Sequence, residues 1–244
     1  MAIISLPTAR YLAPAAFLYD FAAQNYGIFS DPNMKTIHDR NLSYFSPQPL
    51  FIAAFFFPQQ LFQLAWLYNL WRKNPQHPKE KSELEEMLKY VPAYVVGNLC
   101  IGTWMFFWNA EMLKVADVFV VINTVVQVWY VFSQLETMDR GSWSSILTHV
   151  VAKTFAGIGV LDILHNTSVA FAKNALPSKA VKVATGLGFG ALSACSDWIL
   201  GGCMVYDLVA LSVGQRTYEQ DWSRVLGGFA VGSAAIVALK NWLR

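Results

Sequence analysis

Apolar stretches long enough to cross a lipid bilayer recur along the whole of this chain, and they constrain its fold more than any other feature of the sequence. A spanning helix needs about 20 mostly apolar residues to cross a hydrocarbon core about 30 Å thick. Seven segments meet that requirement, namely residues 9–29, 48–71, 90–112, 115–135, 145–171, 183–213 and 222–242. The sequence therefore predicts an all-α fold, a polytopic transmembrane bundle of seven helices that unites residues 1–244 in a single domain.

The first segment leaves a second interpretation open. Asp20, Gln24 and Asn25 interrupt its apolar run. If residues 9–29 lie along the membrane interface instead of crossing it, the bundle has six spanning helices. Both interpretations describe an integral membrane protein, and neither identifies the organelle, the orientation or the oligomeric state.

The composition agrees with a membrane location. Of the 244 residues, 55% are hydrophobic and only 14% are charged, and the formal net charge is +2. The basic residues are spread over short connectors instead of forming one patch, so a nucleic-acid partner is excluded. The lipid bilayer is the partner that the composition predicts.

One connector is strongly charged. Residues 72–89 read "RKNPQHPKEKSELEEMLK", and the part "SELEEMLK" predicts a short capped helix that begins at Ser82. A solvated loop is the alternative interpretation. No connector between the apolar segments is long enough to hold a soluble domain.

Ionisable residues inside the apolar segments are the candidates for chemistry. Placing one there costs about 2.5–3.5 kcal/mol, so each should face the bundle interior and have a partner. Asp162 and His165, in "VLDILHNTS", are three residues apart and share one helical face. Asp197 lies near the midpoint of 183–213, where burial favours the neutral acid unless His165 or Lys153 lies opposite.

We therefore expect a titratable centre of Asp162, His165 and Asp197 between the fifth and sixth helices, with these three as the candidate catalytic residues. The Asp162–His165 pair could relay protons, act as a general acid and base, or only tie two helices together. A metal ion would suit these ligands, but no Glu-x-x-His or His-Glu-x-x-His spacing occurs. No metal site and no cofactor is predicted.

Other polar and aromatic residues inside the segments are candidates for binding a ligand. Most Trp and Tyr residues mark the segment ends as interfacial anchors. Six residues lie deeper and are assigned to ligand binding, although packing or helix–helix hydrogen bonds would also explain them: Asp207, Trp104, Trp108, Trp198, Gln63 and Asn98. Gln63 belongs to a glutamine cluster after Pro58, whose ring frees a backbone carbonyl that these amides could satisfy.

Small residues indicate how the last helices pack. Gly186, Gly190 and Ala194 form a small-xxx-small stripe in the sixth segment, and Gly228 and Gly232 repeat it in the seventh. Helices in lipid approach closely at such stripes. We expect the sixth and seventh helices to be neighbours or to be central in the bundle.

Two runs carry a resemblance to a known family. They are "YFSPQPLFIAAFFFPQQLFQLAWLYNLWR" (44–72) and "NLCIGTWMFFWNAEMLKVADVFVVINTVVQVWYV" (98–131). Together they resemble a family of fungal polytopic integral membrane proteins of unknown function. The likeness covers the second to fourth segments and implies a fungal membrane protein, with no activity attached.

Three functions remain open at this point. The first is a membrane protein whose polar site at Asp162, His165 and Asp197 binds a proton or a small hydrophobic or amphiphilic molecule, for example as a transporter. The second is an intramembrane enzyme that acts on a lipid or terpenoid, with Asp197 as the acid and deep tryptophans that stabilise a cation. The third is a structural or assembly subunit.

Overall fold

The computed structural model describes residues 4–243 and arranges them as nine α-helices without β-strands in that range. The helices are α1 Leu6–Phe29, α2 Met34–Arg40, α3 Pro49–Arg72, α4 Pro78–Asn109, α5 Leu113–Ser133, α6 Trp143–Phe171, α7 Lys179–Cys195, α8 Trp198–Gly214 and α9 Gln220–Trp242. Five of them, α3, α4, α5, α6 and α9, are long and apolar enough to cross a membrane, and α8 is a shorter apolar helix. The predicted class of an all-α, polytopic membrane protein is confirmed, but the predicted count of seven is not.

Helix α6 is the centre of the bundle. It contacts α3, α4, α5 and α8, and small or branched residues on several of its faces are completely buried. One apolar cluster on α1, α3, α4 and α6 surrounds Trp66, Tyr90 and Tyr94. A second cluster joins α6 to α8 and α9 around Met204 and Trp222. The two halves of the protein are therefore held together by α6.

Helix α1 packs within the bundle along α4. Its buried face consists mainly of alanines, which let the two backbones approach closely. The hydroxyl groups of Tyr19 and Thr103 lie 2.9 Å apart, and Asn109 at the end of α4 donates to Ser30 just beyond α1. Helix α1 is not among the five helices that are long and apolar enough to cross a membrane, so the alternative in which this segment lies along the interface stays open.

The sixth predicted segment, 183–213, is two helices. Helix α7 ends at Cys195, Ser196 is extended (φ −90°, ψ 149°), and Asp197 caps α8 by accepting from the backbone N–H of Leu200 at 3.1 Å. The prediction of one long span was wrong here because apolar residues continue on both sides of the break. A hydropathy average does not register an N-cap within such a run.

Contacts with α9 show that α7 runs in the same direction as α9. Near the start of both helices, the ammonium of Lys182 lies 5.7 Å from the centre of the Trp222 ring. At their ends, the ammonium of Lys240 donates to the carbonyl of Ser196 at 2.6 Å. The two helices are thus parallel over their full length.

Helix α8 runs in the opposite direction. At its start, Gly201 lies against Val237, close to the end of α9. At its end, the hydroxyl of Ser212 donates to the carbonyl of Ser223, near the start of α9, at 2.8 Å. Helices α7 and α8 therefore form an antiparallel hairpin with Ser196 and Asp197 at its tip. The sixth and seventh predicted segments are neighbours as expected, since both α7 and α8 contact α9, but most of the stripe residues do not make that contact: Gly190, Gly228 and Gly232 have no atom within 4 Å of a Cβ placed there.

The hairpin places both ends of the described chain at one end of the bundle, which we call the amino-terminal end. The guanidinium of Arg10 there donates to the carbonyl of Lys73, and Lys89 pairs with Glu136. The opposite end, called the far end, holds four connectors, residues 30–48, 110–112, 172–178 and 215–219. Hydrogen bonds join these connectors to one another, such as that from Lys173 to Asn41 at 2.7 Å.

Helices α4 and α6 extend beyond the apolar zone at the amino-terminal end. With 32 and 29 residues, they are about 48 and 43 Å long, more than the hydrocarbon core requires. Residues 78–89 of the charged connector form the extension of α4. The separate helix expected to begin at Ser82 is therefore part of the first turns of α4. Its Glu83 pairs with Lys73 and accepts from Ser142 at 2.6 Å, which joins two connectors.

Candidate functional site

A cavity of about 280 Å³ lies in the half of the bundle nearest the far end. Side chains from α1, α2, α3, α4 and α6 line it. Most of its wall is apolar or aromatic, and its polar groups are concentrated on α2 and α6. This is the usual construction of a small-molecule site, in which a few polar groups orient a mainly apolar ligand.

Asp162 and His165 lie together on the α6 wall of this cavity, as their spacing predicted. The His165 ring centre lies 5.1 Å from that of His38 and 5.7 Å from that of Trp108. Its Nδ1 is 3.5 Å from the hydroxyl of Ser46. Among the described residues, no side chain or backbone group hydrogen-bonds to the Asp162 carboxyl, and Asp162 and His165 do not bond to each other.

Trp104 and Trp108 line the cavity beside these two residues, with ring centres 5.4 Å apart. The indole N–H of Trp104 donates to Asn166 at 2.8 Å, and that of Trp108 donates to the carbonyl of Met34 at 3.2 Å. Both N–H groups therefore have partners within the protein. What remains free to meet a ligand is the carbon surface of the two rings.

Asp207 lies behind the α6 wall. Its side chain on α8 is completely buried, and neither carboxyl oxygen has a hydrogen-bond partner among residues 4–243. It is close enough to Asp162 for the two carboxyl groups to interact electrostatically. Asp207 is not part of the cavity lining, so it affects the site through its charge and not through direct contact.

The exposed residues of the lining lie on α3, at the end of α1 and at Lys35 of α2. The rim of the cavity includes Leu50 and Phe57 on α3, which are 71% and 64% exposed, and Ile28 on α1, which is 41% exposed. Because α3 is long and apolar enough to cross the membrane, these exposed faces point towards lipid.

The structure does not bring Asp197 into this group. Its carboxylate is 2.5 Å from the ammonium of Lys153, which is nine positions before Asp162 on α6. Nine positions correspond to about 14 Å along a helix. The expected centre of Asp162, His165 and Asp197 therefore divides into two places. Of the two partners considered for a charged Asp197, Lys153 is the one present.

Trp198 follows Asp197 at the tip of the hairpin. It is 51% exposed, and its ring packs edge-on against Trp242 at 6.3 Å. The sequence places Trp198 among the deep tryptophans because its apolar pattern does not show the break before α8. Its position beside the end of α9 is that of an interfacial anchor.

Gln63 and Asn98 belong to a separate buried polar cluster on α3 and α4. The hydroxyl of Tyr94 donates to Gln63 at 2.8 Å, and Asn98 donates to the Tyr94 carbonyl at 2.9 Å. Neither residue lines the cavity. In the described part of the chain, no glutamine after Pro58 donates to the carbonyl that its ring frees, so that explanation of the cluster was wrong.

Three polar residues of the lining were missed by sequence reasoning. His38 and Lys35 lie on α2, and Gln24 lies on α1. Gln24 could have been found, since it was one of the polar interruptions of the first segment. His38 carried no signal because it lies in a connector. Packing of Ile37 against Trp108 and the hydrogen bond from Trp108 to the Met34 carbonyl hold α2 against the bundle.

Burial also affects the protonation of His38. Removal from water lowers its pKa below the usual 6.5, and the charge of Lys35 acts in the same direction, against the opposing effect of Asp39. The imidazole that faces the cavity from α2 is therefore held in its neutral form near neutral pH.

Within residues 4–243, no group of three or more His, Cys, Asp or Glu side chains is arranged to hold a metal ion. The site that remains is a lipid-facing cavity with unpartnered carboxyl oxygens on its inner wall.

Comparison of the chain with protein-family models, curated protein sequences and solved structures found no match, so the resemblance to a fungal membrane protein family has no support beyond the two runs that suggested it.

Proposed function

We propose that this membrane protein binds a small amphiphilic molecule that enters the cavity sideways from the bilayer. The observation that carries the proposal is the combination of an apolar, lipid-facing rim with the unpartnered Asp162 carboxyl on the inner wall. An ionisable group inside a membrane protein is costly to keep there and marks a functional site by default. The polar head of a ligand would give Asp162 the partner that the protein does not provide.

The cavity volume limits which part of the ligand is enclosed. About 280 Å³ is equivalent to roughly nine water molecules at about 30 Å³ each. That space accommodates a compact head group and the first part of a chain. The remainder of the chain would leave through the rim at Leu50 and Phe57 and lie among the lipids.

The order of the helices gives a route for the chain through the membrane. We infer eight crossings, made by α1 and α3 to α9, because the connectors alternate between the two ends of the bundle. The hairpin of α7 and α8 contributes two of these crossings. An even number places both ends of the chain on the same side of the membrane.

An intramembrane enzyme remains the second candidate. The observation that favours it is the position of two indole rings beside a free carboxyl group, since aromatic faces stabilise cations. In that case Asp162 would be the acid, because Asp197 is already paired with Lys153. Turnover of an added polyprenyl or epoxide substrate would support this activity over binding alone.

The binding proposal is tested by photolabelling. The purified protein in lipid nanodiscs is incubated with a single-chain amphiphile that carries a photoreactive diazirine, and the labelled peptides are identified by mass spectrometry. Label is expected on the cavity-lining parts of α3, α4 and α6. Ala53→Trp, which places a large side chain at the cavity wall, should reduce that label at least about fivefold.

Val125→Trp is the matched control. Val125 is 58% exposed on α5 and is not part of the lining, so this substitution should leave the label unchanged. Uniform labelling of the lipid-facing surface, with no effect of Ala53→Trp, would contradict the proposal.

A further inference from the structure

We infer that the head group bound in this cavity is a protonated amine, which makes the ligand a single-chain cationic amphiphile. This inference rests on the proposed function, because it requires that the cavity admits an amphiphile. It follows from which hydrogen-bonding groups and which charges of the site have no partner within the protein.

The unused hydrogen-bonding capacity of the α6 wall consists of acceptors. Both carboxyl oxygens of Asp162 lack a donor, and so do both oxygens of the completely buried Asp207 behind it. A cation bound beside Asp162 favours its ionised form, and that carboxylate is an acceptor only, whereas an ammonium group carries three donors and no acceptor. An amine head group therefore matches what the site lacks.

The tryptophan and asparagine donors around the cavity are already used. The indole N–H groups of Trp104 and Trp108 bond to Asn166 and to the carbonyl of Met34. The amide N–H of Asn166 donates in turn to the backbone carbonyl of Asp162 at 2.9 Å. A ligand that offers mainly acceptors, such as an ester or a carboxylate, would find its free donors on the rings of His38 and His165 and on Lys35, and none on the tryptophans or Asn166.

The charges point in the same direction. The basic side chain of the lining is Lys35, and its ammonium is paired with Asp39 at 2.5 Å, away from the α6 wall. The rings of His38 and His165 are 5.1 Å apart, so a positive charge on both would be repulsive. The carboxyl groups of Asp162 and Asp207 thus have no fixed cation beside them among the residues described.

The aromatic wall suits a cation as well. With their N–H groups bonded elsewhere, Trp104 and Trp108 present ring surface to the cavity beside Asp162. An ammonium within about 6 Å of an indole face is attracted by the ring electrons, and the attraction is greatest where water is excluded. A neutral alcohol would gain neither this interaction nor the attraction of the two carboxyl groups, and a fatty acid would add a third acidic group.

The test compares dodecylamine, dodecanol and dodecanoic acid, which share one chain length. Each competes with the photoreactive amphiphile for the purified protein in nanodiscs, and affinity is expressed per mole fraction in the bilayer. The amine is expected to bind at least about tenfold more tightly than the other two. This ranking is measured on the unmodified protein and does not depend on whether a variant folds.

Variants then locate the effect. Asp162→Asn should weaken amine binding at least about tenfold and leave dodecanol within about threefold. Asp221→Asn is the control, because Asp221 is 79% exposed and lies on α9 away from the cavity. Equal loss of amine and alcohol binding in Asp162→Asn would overturn the role given to its charge.

The remaining outcomes separate the two claims. If dodecanol or dodecanoic acid binds as tightly as the amine, the inference about the head group is wrong and the amphiphile cavity stands. If none of the three competes with the label, the cavity does not bind amphiphiles, and the proposed function and the inference both fail.

Discussion

The ammonium of Lys153 lies 2.5 Å from the carboxylate of Asp197, and this ion pair joins the central helix α6 to the tip of the α7–α8 hairpin. Lys153 is largely buried, whereas the Asp197 side chain is 34% exposed. The same carboxylate accepts from the backbone N–H of Leu200 and so begins α8. Asp197 therefore has two roles: it joins the hairpin to α6, and it ends the turn between α7 and α8 by capping α8.

Substitutions at Asp197 should separate these two roles. Asp197→Asn retains an oxygen for the cap and removes the charge, so we expect a loss of about 1–2 kcal/mol in the free energy of unfolding. Asp197→Ala removes the cap as well and should cost about 1 kcal/mol more. The measurement is thermal or denaturant unfolding of the purified protein in detergent.

The control is Asp39→Asn, which breaks the exposed pair with Lys35 and should change stability by less than about 1 kcal/mol. Ligand labelling of the cavity should persist in Asp197→Asn, because Asp197 is not part of the lining. If Asp197→Asn is as stable as the unmodified protein, the ion pair does not hold the hairpin.

The contact between α6 and α8 depends on Gly157. A Cβ atom at this position would lie 2.3 Å from the Cβ of Cys203, which neither helix can accommodate without moving. Gly157→Ala should therefore destabilise the protein by about 1–3 kcal/mol. The readout is the unfolding midpoint in detergent.

Gly190→Ala on α7 is the matched control. A Cβ there would have no atom within 4 Å, and alanine favours the helix over glycine, so this variant should be neutral or up to about 1 kcal/mol more stable. If both alanine variants behaved alike, the close approach at Gly157 would not limit packing.

His38 should make stability depend on pH. Its pKa is lower in the folded protein than the usual 6.5 because it is buried, so the unfolded chain binds more protons as the pH falls. The stabilisation is complete above about pH 6.5 and is lost as the pH falls from there towards the lower pKa of the folded state. In His38→Gln this contribution should disappear, so stability should fall less between about pH 7.5 and pH 5 than in the unmodified protein.

The measurement is the unfolding midpoint of both proteins across that pH range. His77→Gln, which changes an exposed histidine in the charged connector, should leave the pH dependence as it is. An unchanged pH dependence in His38→Gln would show that the α2 histidine is not buried against the cavity as described.

The hairpin also predicts the membrane topology. With eight crossings, single cysteines introduced near the two ends, at Ser5 and Leu243, should react with an impermeant thiol reagent from the same side of sealed vesicles. A cysteine at Arg216, in the connector after α8, should react from the other side. These labels are introduced into a variant whose three native cysteines, Cys100, Cys195 and Cys203, are replaced by serine or alanine.

Seven crossings would place Ser5 and Leu243 on opposite sides, and that result would contradict the antiparallel arrangement of α7 and α8. Ser5 and Arg216 provide a second comparison, because seven crossing helices, α1 and α3 to α8, separate them when α7 and α8 form a hairpin, and six would separate them if residues 183–213 were one span.

The sequence by itself determined the class of the protein and most helix positions. Six of the seven predicted segments correspond to single helices, and their boundaries differ from those observed by a few residues except where α4 extends into the connector 72–89. Helical spacing also placed Asp162 and His165 on one face, and Trp104 and Trp108, for which the sequence left ligand binding and packing open, line the cavity. These properties are local, since apolar length and periodicity depend only on neighbouring residues.

Only the tertiary structure decided which polar residues meet. The turn at Ser196 moved Asp197 from the centre of an expected span to a hairpin tip beside Lys153, and α2 brought His38 to the cavity from a connector. Such placements depend on the direction of each helix and on contacts between residues far apart in sequence. A capped turn within an apolar run has nearly the same hydropathy as a continuous helix, so the pattern could not distinguish them.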